Sequence, residues 1–195
     1  MAYADIIGYT KWQRQPLSPP RARENFLDKF YDEMGWFVLS SDFKVKYMGD
    51  GFMVIRELNE YGRRVYDALR FLFGIDKLVR RIQTLIQESE FPPEGIRVRA
   101  VVGPADKKMA TDPNNKEKFI EEYNSTAIDL AQRLLQVKPK TLFICHRTVI
   151  NLIGKKFPHV LFKELGRVVV NRGRIDPEEL KGLCELNFER AFHIA

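Results

Sequence analysis

The chain has 195 residues, of which 45% are hydrophobic and 30% are charged. This length supports one sizeable hydrophobic core and excludes two domains of ordinary size, and the composition excludes a disordered chain. The formal net charge of +6 favours anionic partners such as nucleotides, nucleic acid or acidic lipid, without choosing among them.

Cysteine and histidine positions exclude two common kinds of site. Cys145 and Cys184 stand in no metal or redox spacing, and their apolar surroundings predict reduced core residues of a cytosolic protein. The three histidines are scattered, which argues against a histidine-based metal site. No apolar run reaches membrane-spanning length and no signal peptide is visible, so we expect a cytoplasmic protein that does not enter the membrane.

The first half of the chain predicts a strand, a helix, a hairpin and a second helix. Residues 2–8 form a short apolar run, which predicts a strand. Residues 21–42 carry apolar side chains at helical spacing. Residues 43–48 and 52–57 flank an Asp-Gly turn, a pattern typical of a β-hairpin. Residues 58–88 carry a long apolar stripe and predict a helix that the sequence FPPEG stops.

The second half predicts further strands and helices beyond a polar connection at 104–119. The predicted elements are a strand at 96–103, a helix at 126–137, a strand at 141–146, a short helix at 147–153, and strands within 161–170 and 183–194. The first six elements follow the split βαβ pattern. We therefore predict an α+β protein with a ferredoxin-like βαββαβ core, additional C-terminal α/β elements, and one domain spanning 1–195.

Two carboxylates suggest a chemical site. Asp5 interrupts the first apolar strand, and Asp50 stands at the turn of the hairpin that lies beside that strand in a split βαβ sheet. A turn aspartate is common in hairpins, but an acid inside an apolar strand needs a partner. Two converging carboxylates repel each other, and a cation between them removes the repulsion. Oxygen ligands of this kind suit Mg²⁺ or Mn²⁺.

Five short motifs resemble those of class III nucleotide cyclases. DIIGYT resembles the first-strand motif D-I-x-G-F-T, and KYMGDGFMV resembles the hairpin motif K-x-x-G-D-G. IRVRAVVG, AIDLAQRLL and LKGL resemble the later strand, helix and turn motifs. The five matches occur in the family's order between Asp5 and Gly182. Each motif is weak alone, and the ordered set carries the resemblance.

The resemblance implies a class III cyclase fold and a homodimer whose active sites are shared between two chains. It implies two metal ions, Mg²⁺ or Mn²⁺, held by Asp5, the Ile6 carbonyl and Asp50. It implies a nucleoside triphosphate whose 3′-hydroxyl attacks its own α-phosphorus and releases pyrophosphate, the reaction of a phosphorus–oxygen lyase. Arg133 matches the family's transition-state arginine, and a guanidinium suits charge developing on a phosphoryl oxygen. Outside this context Arg133 is an ordinary helix-surface arginine.

Some positions depart from the family pattern. Asp129 stands where the family has a ribose-positioning asparagine, and a carboxylate accepts a hydrogen bond but cannot donate one as an amide does. Ser125 replaces a glycine. Arg99 replaces a glycine in the strand at 96–103 and shares a strand face with Arg97. These two arginines meet either phosphate or a carboxylate of the dimer partner.

The positions that recognise the base are also altered. Lys46 matches the family's base-recognising lysine, Glu122 falls on its acid position, and Asn124 falls on its threonine position. Lysine only donates and glutamate only accepts, so this pair suits adenine or cytosine directly and guanine or uracil after a register shift. Tyr47 and Tyr123 add aromatic bulk that would shrink a purine pocket or stack on a smaller ring, unless both are packing residues.

These departures resemble the free-standing pyrimidine cyclases of bacterial antiphage defence. Those enzymes make cyclic UMP or cyclic CMP as a second messenger for a separate effector protein, and a chain that begins almost at its metal strand fits that form. We expect UTP ahead of CTP as substrate, with an adenylate cyclase making cyclic AMP as the alternative. A catalytically dead regulatory module would usually have lost a metal aspartate. A ferredoxin-like RNA-binding domain would display paired aromatics on its central strands, so we expect no nucleic-acid partner.

Overall fold

The computed structural model describes residues 1–9, 20–39, 42–48, 51–58, 64–89, 97–125, 129, 143–154, 162–164 and 183–186. Within these ranges lie nine strands and three helices. In chain order they are β1 (Ala2–Ile7), α1 (Pro20–Leu39), β2 (Lys44–Met48), β3 (Gly51–Ile55), α2 (Arg64–Gln87), β4 (Arg97–Val102), β5 (Asp106–Asp112), β6 (Asn115–Asn124), β7 (Phe143–His146), α3 (Arg147–Gly154), β8 (Phe162–Glu164) and β9 (Leu183–Leu186).

Seven strands form one mixed sheet in the order β2-β3-β1-β4-β7-β9-β8, and β5 pairs with β6 in a separate two-stranded ribbon. β1 lies between β3 and β4 and is antiparallel to both. β4 and β7 are parallel, and the remaining neighbours in the sheet are antiparallel. The first six elements therefore form the predicted ferredoxin-like core.

Helices cover one face of this sheet because their apolar stripes meet the alternate residues of the strands. In β1 these alternate residues are Ala2, Ala4 and Ile6, each at most 2% exposed. On α1 the buried positions include Phe30, whose ring centroid lies 6.0 Å from that of Phe52 in β3. Along α2 the buried side chains are Ala68, Phe71, Leu72, Ile75, Leu78, Val79, Ile82, Leu85 and Ile86. Burial of these apolar surfaces supplies most of the driving force for folding.

β1 ends where the backbone changes conformation. Gly8 follows the strand with φ of 85°. A side chain strains this left-handed conformation, whereas glycine adopts it freely. Gly8, the last residue of the run predicted as a strand at 2–8, therefore lies just beyond the end of β1.

The polar connection predicted at 104–119 is wrong, because β5 and the first half of β6 lie there. Both strands are largely exposed, so neither carries the apolar alternation by which half-buried strands are recognised. Local turn chemistry closes the ribbon instead. Asn114 N–H donates to Asp112 Oδ1 at 2.8 Å, and Glu117 N–H donates to Asn115 Oδ1 at 3.1 Å.

The C-terminal elements are described in part. β7 and α3 confirm the strand and short helix predicted near 141–153, and β8 and β9 lie within the two predicted late strands. The predicted helix at 126–137 lies outside the described residues except for Asp129, which is helical. Cys145 is a buried free cysteine, as predicted, and it is the cross-strand partner of Cys184.

Candidate active site

Asp5 lies in the central strand with a neighbour on each side. Its cross-strand partner in β3 is Gly51, and its partner in β4 is Arg99. Directly opposed residues share a face of a sheet, so Asp5 and Arg99 lie together on the face opposite to Ala4 and the helices. Asp5 is half-buried and Arg99 is only 6% exposed. Asp5 and Arg99 are thus neighbouring residues of opposite charge in a partly desolvated position, where charges interact more strongly than in water.

Gly51 lets β3 approach β1 closely beside Asp5. A Cβ atom at position 51 would lie 3.0 Å from the Ala4 carbonyl oxygen, 3.1 Å from Tyr3 Oη and 3.5 Å from Asp5 Oδ1. A side chain at this position would therefore press on the β1 backbone and on the Tyr3 hydroxyl, and would be in ordinary contact with the carboxylate. Glycine is the residue that permits this close approach.

The metal set predicted from sequence is only partly described. Asp50 lies outside the described residues, and one peptide bond joins it to Gly51, the cross-strand partner of Asp5. Ile6 is 2% exposed with its side chain in the core, so its main-chain oxygen is the ligand it offers. Within the described part of the chain, no three His, Cys, Asp or Glu residues cluster in a way that could hold a metal ion.

A charged network ties the β5–β6 ribbon to the sheet. Lys44 Nζ in β2 lies 2.7 Å from Glu121 Oε2 and 3.1 Å from Glu57 Oε1. Lys107 in β5 contacts the same two carboxylates. The Tyr123 hydroxyl lies 2.7 Å from Glu121 Oε2 and accepts a hydrogen bond from Lys44 at 3.3 Å. We call these five residues the ribbon network.

The ribbon network shifts the pKa values of its members. Hydrogen bonds from Lys107 and then Lys44 lower the pKa of Glu121 to about 2. The Lys44 hydrogen bond, followed by that of Lys107, also lowers the pKa of Glu57. Hydrogen bonds to Glu121 and Glu57 raise the pKa values of Lys44 and Lys107. Burial raises the pKa of Tyr123. The carboxylates therefore stay ionised and the lysines stay protonated across the physiological range.

The predicted base-recognising residues are not all brought together. Side chains alternate along a strand, so Lys46 shares the face of Lys44, and Tyr47 turns to the helix side. There the Tyr47 ring packs edge to face on Tyr31 of α1, with centroids 5.4 Å apart. The structure places Lys44, rather than Lys46, against β6.

The ribbon separates the remaining members of the predicted set in the same way. Tyr123 faces the sheet with Glu121, its neighbour two residues away, and its hydroxyl belongs to the ribbon network. Glu122 and Asn124 alternate to the other face of β6 and are exposed. The structure therefore does not bring Glu122 to Lys46 within one chain.

Ser125 joins the end of β6 to the loop after β4. Its hydroxyl donates to the Pro104 carbonyl oxygen at 2.5 Å, and the residue is 8% exposed. The Asp129 N–H donates to the Ser125 carbonyl oxygen at 3.1 Å, the spacing of a first helical turn. Asp129 itself is exposed. Arg133 lies outside the described residues, and Arg97 is described only by its backbone in β4.

Sequence reasoning missed Lys44, Glu57, Lys107 and Glu121 as members of one network. The four belong to separate positions along the chain, and only the docking of the ribbon on the sheet brings them together. Only Lys107 lies in the polar connection at 104–119, where the sequence alternates opposite charges. That signal is weak, because such charges are usually a solvated surface.

No helix among those the structure describes is long and apolar enough to cross a membrane.

Comparison with known proteins shows the fold. No family model and no curated protein matches the chain. The adenylyl cyclase CyaB from P. aeruginosa is 16% identical with a TM-score of 0.67, over 95% of this chain and 91% of that one. The guanylate cyclase domain of RhGC from Catenaria anguillulae, solved in complex with GTP, is 15% identical with a TM-score of 0.59, over 95% and 93%.

A further neighbour is an unconventional dimeric guanylyl cyclase domain, from the RhoGC fusion protein of the aquatic fungus Blastocladiella emersonii. It is 14% identical with a TM-score of 0.53, over 84% of this chain and 85% of that one. These sequence identities are too low to transfer an activity to this chain. The three solved structures nevertheless share one architecture with it. The chain has the mixed α+β fold of class III cyclase catalytic domains.

Proposed function

We propose that this protein is a nucleotide cyclase that converts a nucleoside triphosphate to its 3′,5′-cyclic monophosphate and pyrophosphate. The observation that carries the proposal is the position of Asp5 within the cyclase fold. Asp5 is a half-buried acid in the central strand, and its cross-strand neighbours are Gly51 and Arg99. Gly51 permits a close approach of β3 to β1 beside Asp5, and Asp50 is the residue before Gly51 in the sequence.

Two divalent ions fit the oxygen donors at this position. Asp5, Asp50 and the main-chain oxygen of Ile6 would hold Mg²⁺ or Mn²⁺, both of which prefer such ligands. Bound there, the ions would activate the 3′-oxygen and neutralise charge on the phosphates. Arg99, the cross-strand neighbour of Asp5 in β4, also supports a site for phosphate, because a guanidinium matches phosphoryl oxygens in pairs.

The chain's own residues then have distinct roles. Arg133 stabilises charge on the transferring phosphoryl group. Asp129 accepts a hydrogen bond from a ribose hydroxyl, a role that its exposure permits. Arg97 contacts phosphate or the partner chain.

We place a pyrimidine triphosphate in the site, UTP ahead of CTP. Lys46, Glu122 and Asn124 are exposed in the protomer, so their polar groups are accessible to a base. Lys46 donates to a base carbonyl, and the Asn124 amide either donates or accepts. The Ser125 bond to Pro104 fixes the backbone beside Asn124, which limits how far the pocket can widen for a purine. Tyr47 is left out of this set because its ring packs on Tyr31.

Adenylate cyclase activity is the second candidate. CyaB, with a TM-score of 0.67, is an adenylyl cyclase. The guanylate cyclase neighbours show that the fold alone does not choose the base.

We also propose that the active form is a cytoplasmic homodimer whose product activates a separate effector protein in antiphage defence. The dimeric guanylyl cyclase domain among the structural neighbours supports the assembly. Mixing Asp5→Ala chains with Arg133→Ala chains tests it. If two chains share each site, the two inactive variants restore part of the activity in hybrid dimers. No recovery despite demonstrated subunit exchange would exclude shared sites.

The activity proposal is tested by replacing Asp5 with asparagine, which keeps the size of the side chain and removes its charge. We expect metal-dependent turnover to fall at least about a hundredfold, because the principal metal ligand is lost. Asp32→Asn on the exposed face of α1 is the matched control and should retain full turnover. Equal turnover of wild-type protein and Asp5→Asn would exclude Asp5 as a metal ligand.

A further inference from the structure

A cavity of about 790 Å³ opens at the opposite end of β1 from Asp5. Its lining includes Ile55 at the end of β3 and Val102 at the end of β4. Asp5 pairs with Gly51 and Arg99, which lie four and three residues earlier on these two strands. At about 3.3 Å per residue, roughly 10–13 Å of strand separates the cavity from Asp5. The cavity is therefore separate from the proposed cyclase site.

Apolar side chains from the two helices that flank this end of the sheet form the walls. α2 contributes Val65, Ala68 and Phe71, and α3 contributes Val149 and Leu152. A volume of this size is typical of pockets that enclose drug-sized ligands. Water is poorly held between apolar walls because it finds few hydrogen-bonding partners there. The walls therefore favour an apolar occupant over water.

Charged groups at the mouth neutralise one another. Lys107 and Glu57 line the cavity, and their Nζ and Oε1 atoms are 3.1 Å apart. With Lys44 and Glu121, the ribbon network places two positive charges against two negative ones. An ionic ligand would have to enter without a counter-charge, which is costly.

The third charged lining residue is also compensated. Arg56 lies 3.2 Å from Asp42 Oδ2 through Nη1 and 3.5 Å from Asp67 Oδ1 through Nη2. Among the described residues, each charged side chain in the lining therefore has an opposite charge in contact. Met1 also lines the cavity; its amino group donates to the Gly103 carbonyl oxygen at 2.9 Å, and burial lowers the pKa of this group to about 6. The rim suits an uncharged occupant.

One side of the cavity offers polar groups. Thr148 and Asn151 are exposed residues of α3 that line it, and their spacing of three places them on one face of the helix. The Asn151 amide supplies both a donor and an acceptor. We propose that this cavity is a binding site for an uncharged, predominantly apolar small molecule that carries one hydrogen-bonding group facing α3.

The test uses N-phenyl-1-naphthylamine, a neutral fluorescent probe, with the full chain and no nucleotide. We expect saturable binding of one probe per chain. 1-Dodecanol should displace it at least about tenfold more tightly than dodecanoate, because the carboxylate would be buried without a partner. If wild-type protein binds no probe, the cavity is not a binding site. If dodecanoate competes as well as dodecanol does, the proposed preference for an uncharged ligand is wrong.

Variants locate the binding. Val65→Trp and Val149→Trp fill the cavity from two different helices, whereas Arg70→Trp adds the same bulk on the exposed face of α2. Both filling variants should no longer bind the probe, although their circular dichroism spectra match that of the wild-type protein. The control variant should bind the probe as the wild-type protein does. Unchanged binding to both filling variants would place the probe elsewhere and overturn the proposal.

Glu57→Gln needs no change in packing and tests the charge argument. It removes one carboxylate from the charged residues that line the cavity. The affinity for dodecanoate should therefore rise about tenfold relative to the affinity for dodecanol. Binding that weakens as protein concentration rises, in step with dimer formation, would show instead that a second copy covers the cavity. None of these measurements depends on cyclase activity, so each proposal can fail alone.

Discussion

Replacing Gly51 with alanine tests the geometry around Asp5 through stability alone. The added Cβ would lie 3.0 Å from the Ala4 carbonyl oxygen, a few tenths of an ångström closer than ordinary contact. That oxygen belongs to the backbone of a fully buried position in the central strand, so it cannot move cheaply. Overpacking of this kind costs about 1–3 kcal/mol. Alanine also lowers the conformational entropy of the unfolded chain, which offsets about 0.4–1 kcal/mol of this cost.

The expected net loss is about 1–2 kcal/mol, which for a chain of this size lowers the melting temperature by roughly 2–8 °C. Gly35→Ala is the matched control, because its Cβ would meet nothing within 4 Å in the interior of α1. It should stabilise the protein by about 0.5–1 kcal/mol. Urea unfolding followed by circular dichroism measures both variants. If Gly51→Ala is as stable as the wild-type protein, β3 does not pack against the Ala4 carbonyl oxygen as closely as described.

Two further predictions concern the ribbon network and the helix-covered face. The Glu121 carboxylate, followed by ¹³C NMR, should titrate near pH 2. Its contribution to ribbon docking is complete above pH 4.5 and is lost as pH falls toward 2, and Lys107→Met should raise the midpoint toward 4.5. A midpoint near 4.5 in wild-type protein would exclude the network. Tyr47→Ala should cost about 0.5–1 kcal/mol of unfolding free energy through the lost Tyr31 contact. It should leave the relative turnover of the four triphosphates unchanged, and a changed preference would return Tyr47 to the base site.

The buried elements were predictable because burial imposes a periodicity on the sequence. One face of α2 and one face of β1 pack against the core. Buried residues therefore recur about every 3.6 positions in the helix and every second position in the strand. The helix predicted at 58–88 is described from Arg64 to Gln87, and Leu58 lies outside it. None of the side chains of β5 and β6 whose burial is described is buried, so this ribbon carries no such signal.

The candidate site was predictable to a different degree at each position. Asp5 was identifiable because a carboxylate inside an apolar strand is costly without a function or a partner. The contact of Lys44 with Glu121 was not, because it depends on where the ribbon docks. Strand alternation was enough to place Lys46 and Tyr47 on opposite faces, but the sequence did not say which face would meet β6.

The most direct test of the account is a competition among ATP, GTP, CTP and UTP at equal concentrations, with purified protein and either Mn²⁺ or Mg²⁺, and with the products identified by mass spectrometry. We predict metal-dependent formation of 3′,5′-cyclic nucleotide, with cyclic UMP the major product. Dominant cyclic CMP would overturn the choice of UTP, and dominant cyclic AMP would overturn the pyrimidine substrate. The absence of any cyclic nucleotide with either metal, from a folded and dimeric protein, would contradict the central claim that this chain is a nucleotide cyclase.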